Sequence, residues 1–315
     1  MLSNHTDTQL YFKSSDAKDS QDSFKDAFSD ANDADADDVD AIDESKFNTG
    51  DTILNPEKLA SVENLKVEVP EDVRIFKAEV EKELKSIFVF LADPQAKDSD
   101  TTLKSMELLT DKVLKVVAPD VDDLRGSILK NSKYLMVMAD SAAITSIAVL
   151  LAMAHGFDSK KIFRDLSTAI LLMDTALAEV PEEMVLRYYR DRESLDQSEL
   201  ELIKAHPQKA FQAVSKKLKA LPESVLQLIL NHHENYNATG YPRGLRNEQL
   251  PPIIRSLNLA VNVFEIMKRE TLKGNNGMDL LKALEELKEL DVEAHKRKHN
   301  QNLVNKAIRY ISSPN

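Results

Sequence analysis

The chain has 315 residues, 42% of them hydrophobic, and a formal net charge of −12. That length allows one or two domains and a sizeable core. The absence of cysteine excludes disulfides, zinc-thiolate sites and cysteine nucleophiles, and fits a reducing compartment.

The charge is concentrated at one end. Residues 1–50 hold thirteen acids against four lysines, a balance of −9, which leaves only −3 for the body. With few aliphatics there, this stretch is expected to be a disordered acidic tail, although Phe12, Phe24, Phe28, Ile42 and Phe47 are also compatible with a docking segment. Asp33, Asp35, Asp37 and Glu44 have the spacing of a calcium loop. Asp38 stands where its glycine is needed, and no amphipathic helices flank it, so calcium is not expected. The start lacks a basic, apolar secretory signal, and the run Ala142 to Ala154 is too short to span a bilayer. These features predict a cytoplasmic protein without a membrane segment. A near-neutral body with no basic stripe argues against nucleic acid as a partner.

Helical periodicity begins after Pro70. Val73, Phe76, Val80, Leu84, Ile87, Phe88 and Leu91 recur at three- and four-residue steps up to Asp93-Pro94. A second helix is predicted from about Asp100, with Leu103, Met106, Leu109, Val113 and Val117 on one face. Leu124, Ile128 and Leu135 lead into a long buried helix ending at Gly156. Ser159 is placed to cap the next, and Ser198–Leu218, Glu223–Leu230, Ile253–Lys268 and Met278–Leu290 follow. No segment alternates as a strand does, so the expected fold is all-α. The divisions read from this pattern are a tail over 1–50, a helical region over 51–125 and a main domain over 126–315.

Chemistry concentrates in the main domain. His206-Pro207 precedes the triplet His232-His233-Glu234, which is followed by Gly240-Tyr241-Pro242-Arg243. Imidazoles beside an acid and a Gly/Pro-built turn suggest a metal site under a phosphate-recognising loop. Taken singly, each histidine reads as a structural residue rather than a ligand. His295 and His299 have helical ligand spacing but flank Lys296-Arg297-Lys298, and are expected at the surface. His155 is expected to decorate a helix C-terminus.

Taken together, these segments resemble the HD-GYP family, metal-dependent phosphohydrolases that linearise cyclic di-GMP. The resemblance covers Asn131 to Lys273 and implies an HD-domain helical bundle. It departs from the family at several positions. The family's first histidine is Asp140 here, its His-Asp doublet is Met173-Asp174, its following lysine is Leu177, its aspartate-glycine before the turn is Asn237-Ala238, and its last aspartate is Asn262. The family's cation held by the first histidine, the doublet and the last aspartate would therefore lose its ligands, because a thioether suits Fe, Mn or Mg poorly and Asn262 is neutral. The neighbouring cation would keep Asp174, His206, His232 and His233, so one divalent ion, Fe or Mn, is the implied cofactor. Losing the lysine at 177 removes a phosphate contact.

Three functions follow as expectations. The first is a degenerate domain in cyclic di-GMP signalling, binding a nucleotide or a diguanylate cyclase-type partner protein through Gly240, Tyr241, Pro242 and Arg243, with catalysis lost. The second is an active phosphodiesterase with a mononuclear site, in which Asp140 also serves as a carboxylate ligand. The third is a helical scaffold that binds neither.

Overall fold

The computed structural model describes residues 70–117, 124–131, 135–136, 138–246, 249–275, 278–291 and 298–313. The acidic segment 1–50, the calcium-like spacing within it and His295 lie outside these residues. The described residues form helices α1 (Glu71–Ala92), α2 (Ser99–Val117), α3 (Leu124–Asn131), α4 (Asp140–Ala154), α5 (Lys160–Met173), α6 (Glu182–Arg190), α7 (Gln197–Lys204), α8 (His206–Lys217), α9 (Glu223–Asn231), α10 (Pro252–Leu272), α11 (Leu280–Leu290) and α12 (Gln301–Ser312). Short 3-10 turns cover Thr175–Glu179 and Arg192–Ser194. Among the described residues there is no strand, only an isolated bridge between Asn237 and Arg246. The fold is all-α.

Helix α4 is apolar on all sides, and burial of Ala142 through Ala152 makes it the central rod. α10 lies along it, α5 packs against it, and α9 covers α5. α1 presents Val73, Phe76, Val80, Leu84, Ile87 and Leu91 inward, the face read from periodicity, and pairs with α2. α2 in turn packs on α4 and α5, where the Thr110 and Thr168 hydroxyls meet at 3.1 Å. The Lys217 ammonium at the end of α8 donates to the Phe90 carbonyl at 2.6 Å and also to that of Asp93. One hydrophobic core runs from Val73 to Ala307. A smaller one gathers Leu177, Val180, Val185, Tyr188, Leu195 and Ile203.

The expected Ser198–Leu218 helix is two. α7 starts with a capping box in which the Asp196 carboxylate accepts from the Glu199 amide at 2.9 Å, and it ends at Lys204. Ala205 then serves as the N-cap of α8, and Pro207 falls in the new first turn, where its missing N–H leaves no internal bond unmade. Similarly, α3 ends at Asn131 and the buried helix restarts at Asp140. Ser159 holds the N-cap position of α5, but its side chain caps nothing. Among the described residues no helix is long and apolar enough to cross a membrane.

Candidate functional site

The helix ends place the site. Asp174 follows the last residue of α5, His206 opens α8, and His232 closes α9 with His233 and Glu234 just beyond. His206 and His232 are buried, at 2% and 0% exposed. The Nδ1 of His206 lies 2.7 Å from the Ile203 carbonyl and that of His232 lies 2.7 Å from the Ile229 carbonyl. A carbonyl can only accept, so each Nδ1 carries a proton and each ring turns its Nε2 inward. Those two Nε2 atoms are 3.0 Å apart, and Asp174 Oδ1 lies 3.3 Å from one and 3.7 Å from the other. His233 completes the group, with ring nitrogens of the three histidines within 4.8 Å of one another.

Converging lone pairs and a carboxylate repel unless a proton or cation sits among them. Nδ1–H donation to backbone carbonyls is also how metal-bound histidines are oriented. Imidazole and carboxylate together suit a divalent transition ion, so the donor set fits one. Desolvation alone would raise the Asp174 carboxyl, but bonds from His206 and His232 outweigh it and hold it well below the usual range. Burial pushes His206 down, and it pushes His233 further down with the help of the neighbouring imidazoles.

The remaining positions are arranged differently. Met173 is buried at 1% exposed, and Leu177 is packed in the smaller core. Asn262 turns back along its own helix, its Nδ2 donating to the Asn258 carbonyl at 2.8 Å. Asp140 is bonded by the Lys268 ammonium at 2.8 and 3.1 Å. The cleft beside the histidines is lined by Met173, Leu177, Ile144, Val185, Val261 and Phe264, with Asp174, His206, His233, Tyr188, Tyr189 and Glu265 supplying its polar edges.

The turn is built against the site. Glu234, fully buried, accepts the amides of Arg243 at 2.7 Å and Leu245 at 2.8 Å, so it acts as a staple for the turn. Burial raises its carboxyl, and the amide bonds oppose that shift. A Cβ at Gly240 would lie 2.3 Å from the Asn235 nitrogen and 2.5 Å from the His233 oxygen, so only glycine permits this approach. The Tyr241 N–H donates to the His233 carbonyl at 3.1 Å, and the Tyr241 ring stacks on His233 with centroids 4.7 Å apart. The Tyr241–Pro242 peptide is cis. Arg243, expected to take part in nucleotide or partner binding, is exposed but bonds Asn231 Oδ1 at 2.8 Å.

Sequence reasoning missed a cluster on the cleft edge. The Arg192 guanidinium lies 3.9 Å over the Tyr188 ring and bonds Glu265 at 3.1 Å, while the Tyr188 and Tyr241 hydroxyls meet at 3.1 Å. The Tyr188–Tyr241 and Arg192–Glu265 contacts join residues 53 and 73 apart, and no local pattern marks them. His299 corrects another expectation. It is 6% exposed, and its Nδ1–H donates to Asp291 at 3.0 Å, because the neighbouring backbone wraps the Asp291 carboxylate inward. His155 does end a helix, and it also bonds Ser256 and the Leu303 carbonyl.

A helical bundle that gathers imidazoles and an aspartate at successive helix ends is the architecture of an HD domain. Comparison agrees: residues 126–295 match the family model described as HD domain, and the chain belongs to that family. Its domain is of the HD-GYP type. The chain is similar to the cyclic di-GMP phosphodiesterase response regulator RpfG of Xanthomonas campestris pv. campestris (strain 8004), with 26% identity over 124 residues. That match covers 39% of this chain and 31% of the relative, so the chain spans about a third of that protein's length. Among solved structures it is similar to Bd1817, an HDG"Y"P protein from Bdellovibrio bacteriovorus, at 19% identity and a TM-score of 0.44, over 82% of this chain and 88% of that one.

Proposed function

We propose that this protein is a degenerate HD-GYP domain of cyclic di-GMP signalling, one that binds a nucleotide or a diguanylate cyclase-type partner and has lost turnover. The observation that carries the reading is the contrast between two sets of positions. Asp174, His206, His232 and His233 converge as a donor set for one divalent ion, Fe or Mn, whereas Met173, Asn262, Asp140 and Leu177 are apolar, turned away or already paired. Cyclic di-GMP enters through the likeness to RpfG, a cyclic di-GMP phosphodiesterase response regulator.

A divalent ion held at the first set would act as a Lewis acid toward a phosphate oxygen. The chain's own residues would do the rest. Nδ1–H bonds to Ile203 and Ile229 hold the two imidazoles in register, and Glu234 and Gly240 seat the Tyr241 turn beside His233 for a nucleotide or partner surface. Without a second cation or a lysine at 177, the developing charge of phosphodiester cleavage lacks stabilisation worth several kcal/mol, roughly a thousandfold in rate.

The test is elemental analysis and cyclic di-GMP turnover of the purified full chain with added Mn or Fe. One ion per chain, abolished by His232→Ala, with no hydrolysis, is the expected result. The second reading, a mononuclear phosphodiesterase, is favoured by the close approach of Asp174 to both inward-facing imidazoles. Hydrolysis by the unmodified chain, lost on substitution of His206 or Asp174, would establish that reading instead.

A further inference from the structure

Asp174 and Glu265 line the cleft, and Asp140 opens the helix whose next turn reaches it. Glu265 is paired with Arg192 at 3.1 Å, Glu81 on α1 with Lys77 at 3.8 Å, and Asp140 with Lys268 at 2.8 Å. Asp174 differs: among the described residues its ion-pair partners are the His206 and His232 imidazoles. The Asp140 pair is the most telling, because both of its oxygens are bonded by one ammonium at 2.8 and 3.1 Å.

Where the pair sits matters as much as how it is made. Asp140 opens α4, and Ile144, one turn further along, lines the cleft. Lys268 lies on α10, one turn beyond Phe264 and Glu265, which line it too. Its side chain is only 13% exposed, its ammonium rests 5.9 Å from the centroid of the Phe264 ring, and Glu81 is within electrostatic reach of both partners. Fixing a long flexible side chain in this way takes a fixed counter-charge, which Asp140, itself 49% exposed, supplies.

We propose that Lys268 is a built-in cation standing in for a second metal ion: its ammonium neutralises Asp140 and bars a dication from that end of the cleft. This rests on the reading that a single divalent ion occupies the histidine end. Around a cleft edged by acids, some cation must offset their mutual repulsion. A tethered ammonium does so with no free-ion requirement and with no Lewis acidity toward a phosphate. Loss of ligands at 173 and 262 would then be only half of the difference, with the Lys268 ammonium on Asp140 the other half.

The test keeps Asp140 and returns two ligands, Met173→His and Asn262→Asp, in the full chain, with and without Lys268→Met. Metal content is measured after equilibration with Mn and desalting, and circular dichroism melting checks that each variant is folded. The expected result is a difference of one Mn per chain between the two variants, present only when Lys268 is gone. Equal metal content, whether low or high in both, overturns the inference. The difference within the pair tests Lys268, and the absolute content of the unmodified chain tests the reading on which it rests. Should the Met173→His chains fail to fold, the same comparison in Asn262→Asp alone is read as stabilisation by millimolar Mn. A larger melting shift with Lys268→Met supports the proposal, and an equal shift overturns it.

Discussion

Ala238 shows how a single residue departs from what its position requires. Its φ of 63° lies in the left-handed region, where a Cβ costs about 1–2 kcal/mol, and the family resemblance places glycine there. Ala238→Gly should therefore stabilise the protein by about 0.5–1 kcal/mol after the greater chain entropy of glycine is subtracted, which a urea midpoint would detect. No change, or a loss, would show that the strain is already relieved. His155 offers a second residue-scale test. Its Nε2–H donates to the Leu303 carbonyl, so Nδ1 accepts from the Ser256 hydroxyl at 2.6 Å, and burial depresses the imidazole to about 4. A base depressed when folded contributes fully above its unfolded value of about 6.5, and that contribution is lost as pH falls from there to about 4. The loss is at most about 3.5 kcal/mol, from about 2.5 pH units at about 1.4 kcal/mol each. His155→Gln should flatten stability against pH in this window, and parallel curves for the two proteins would refute it. The sequence placed His155 at a helix end correctly. Its partners on α10 and α12 were invisible, being 101 and 148 residues away.

Among the elements, the turn after α9 is defined less by its own residues than by Glu234 beneath it. A buried carboxylate accepting two amides is charge-assisted bonding, and its removal leaves both donors unsatisfied in the interior. Glu234→Ala should cost about 2–4 kcal/mol and lower metal affinity as well, since Tyr241 would no longer be pinned against His233. A stable variant with unaltered metal content would separate the turn from the site. The motif letters were legible, because glycine at 240 and acid at 234 are chemical necessities of this turn. Helices with a strong apolar stripe were legible for a similar reason, as the six buried positions of α1 and the buried Met106, Leu109, Val113 and Val117 of α2 show. α6 was not, since most of EEMVLRYYR is charged or aromatic and only Val185 and Tyr188 are buried. Nor could the Asp140 to Lys268 pairing be read, because 128 residues separate two charges that each resemble ordinary surface residues.

For the molecule as a whole, the decisive matter is whether α1 and α2 are an appendage or part of the folding unit. Continuity of the core from Val73 to Ala307 favours the second. α2 supplies Met106, Leu109, Val113 and Val117, each nearly fully buried, along a helix packed on α4 and α5. Burial of one such side chain contributes about 1.5–3 kcal/mol, so several together are comparable to the 5–15 kcal/mol stability of a typical domain. α1 adds direct ties to site elements, packing on the 3-10 turn after Asp174 and on α8, whose Lys217 is bonded to the end of α1. The chain beginning at Leu124, with α1 and α2 removed, should thus lose its cooperative melt, bind a hydrophobic dye and lose metal together with structure. The intact chain should melt in one transition seen alike by circular dichroism and by calorimetry. Two transitions, or a truncated chain that melts cooperatively with its metal content intact, would mean that the helical hairpin is dispensable and that the site is organised by the family-matched residues alone.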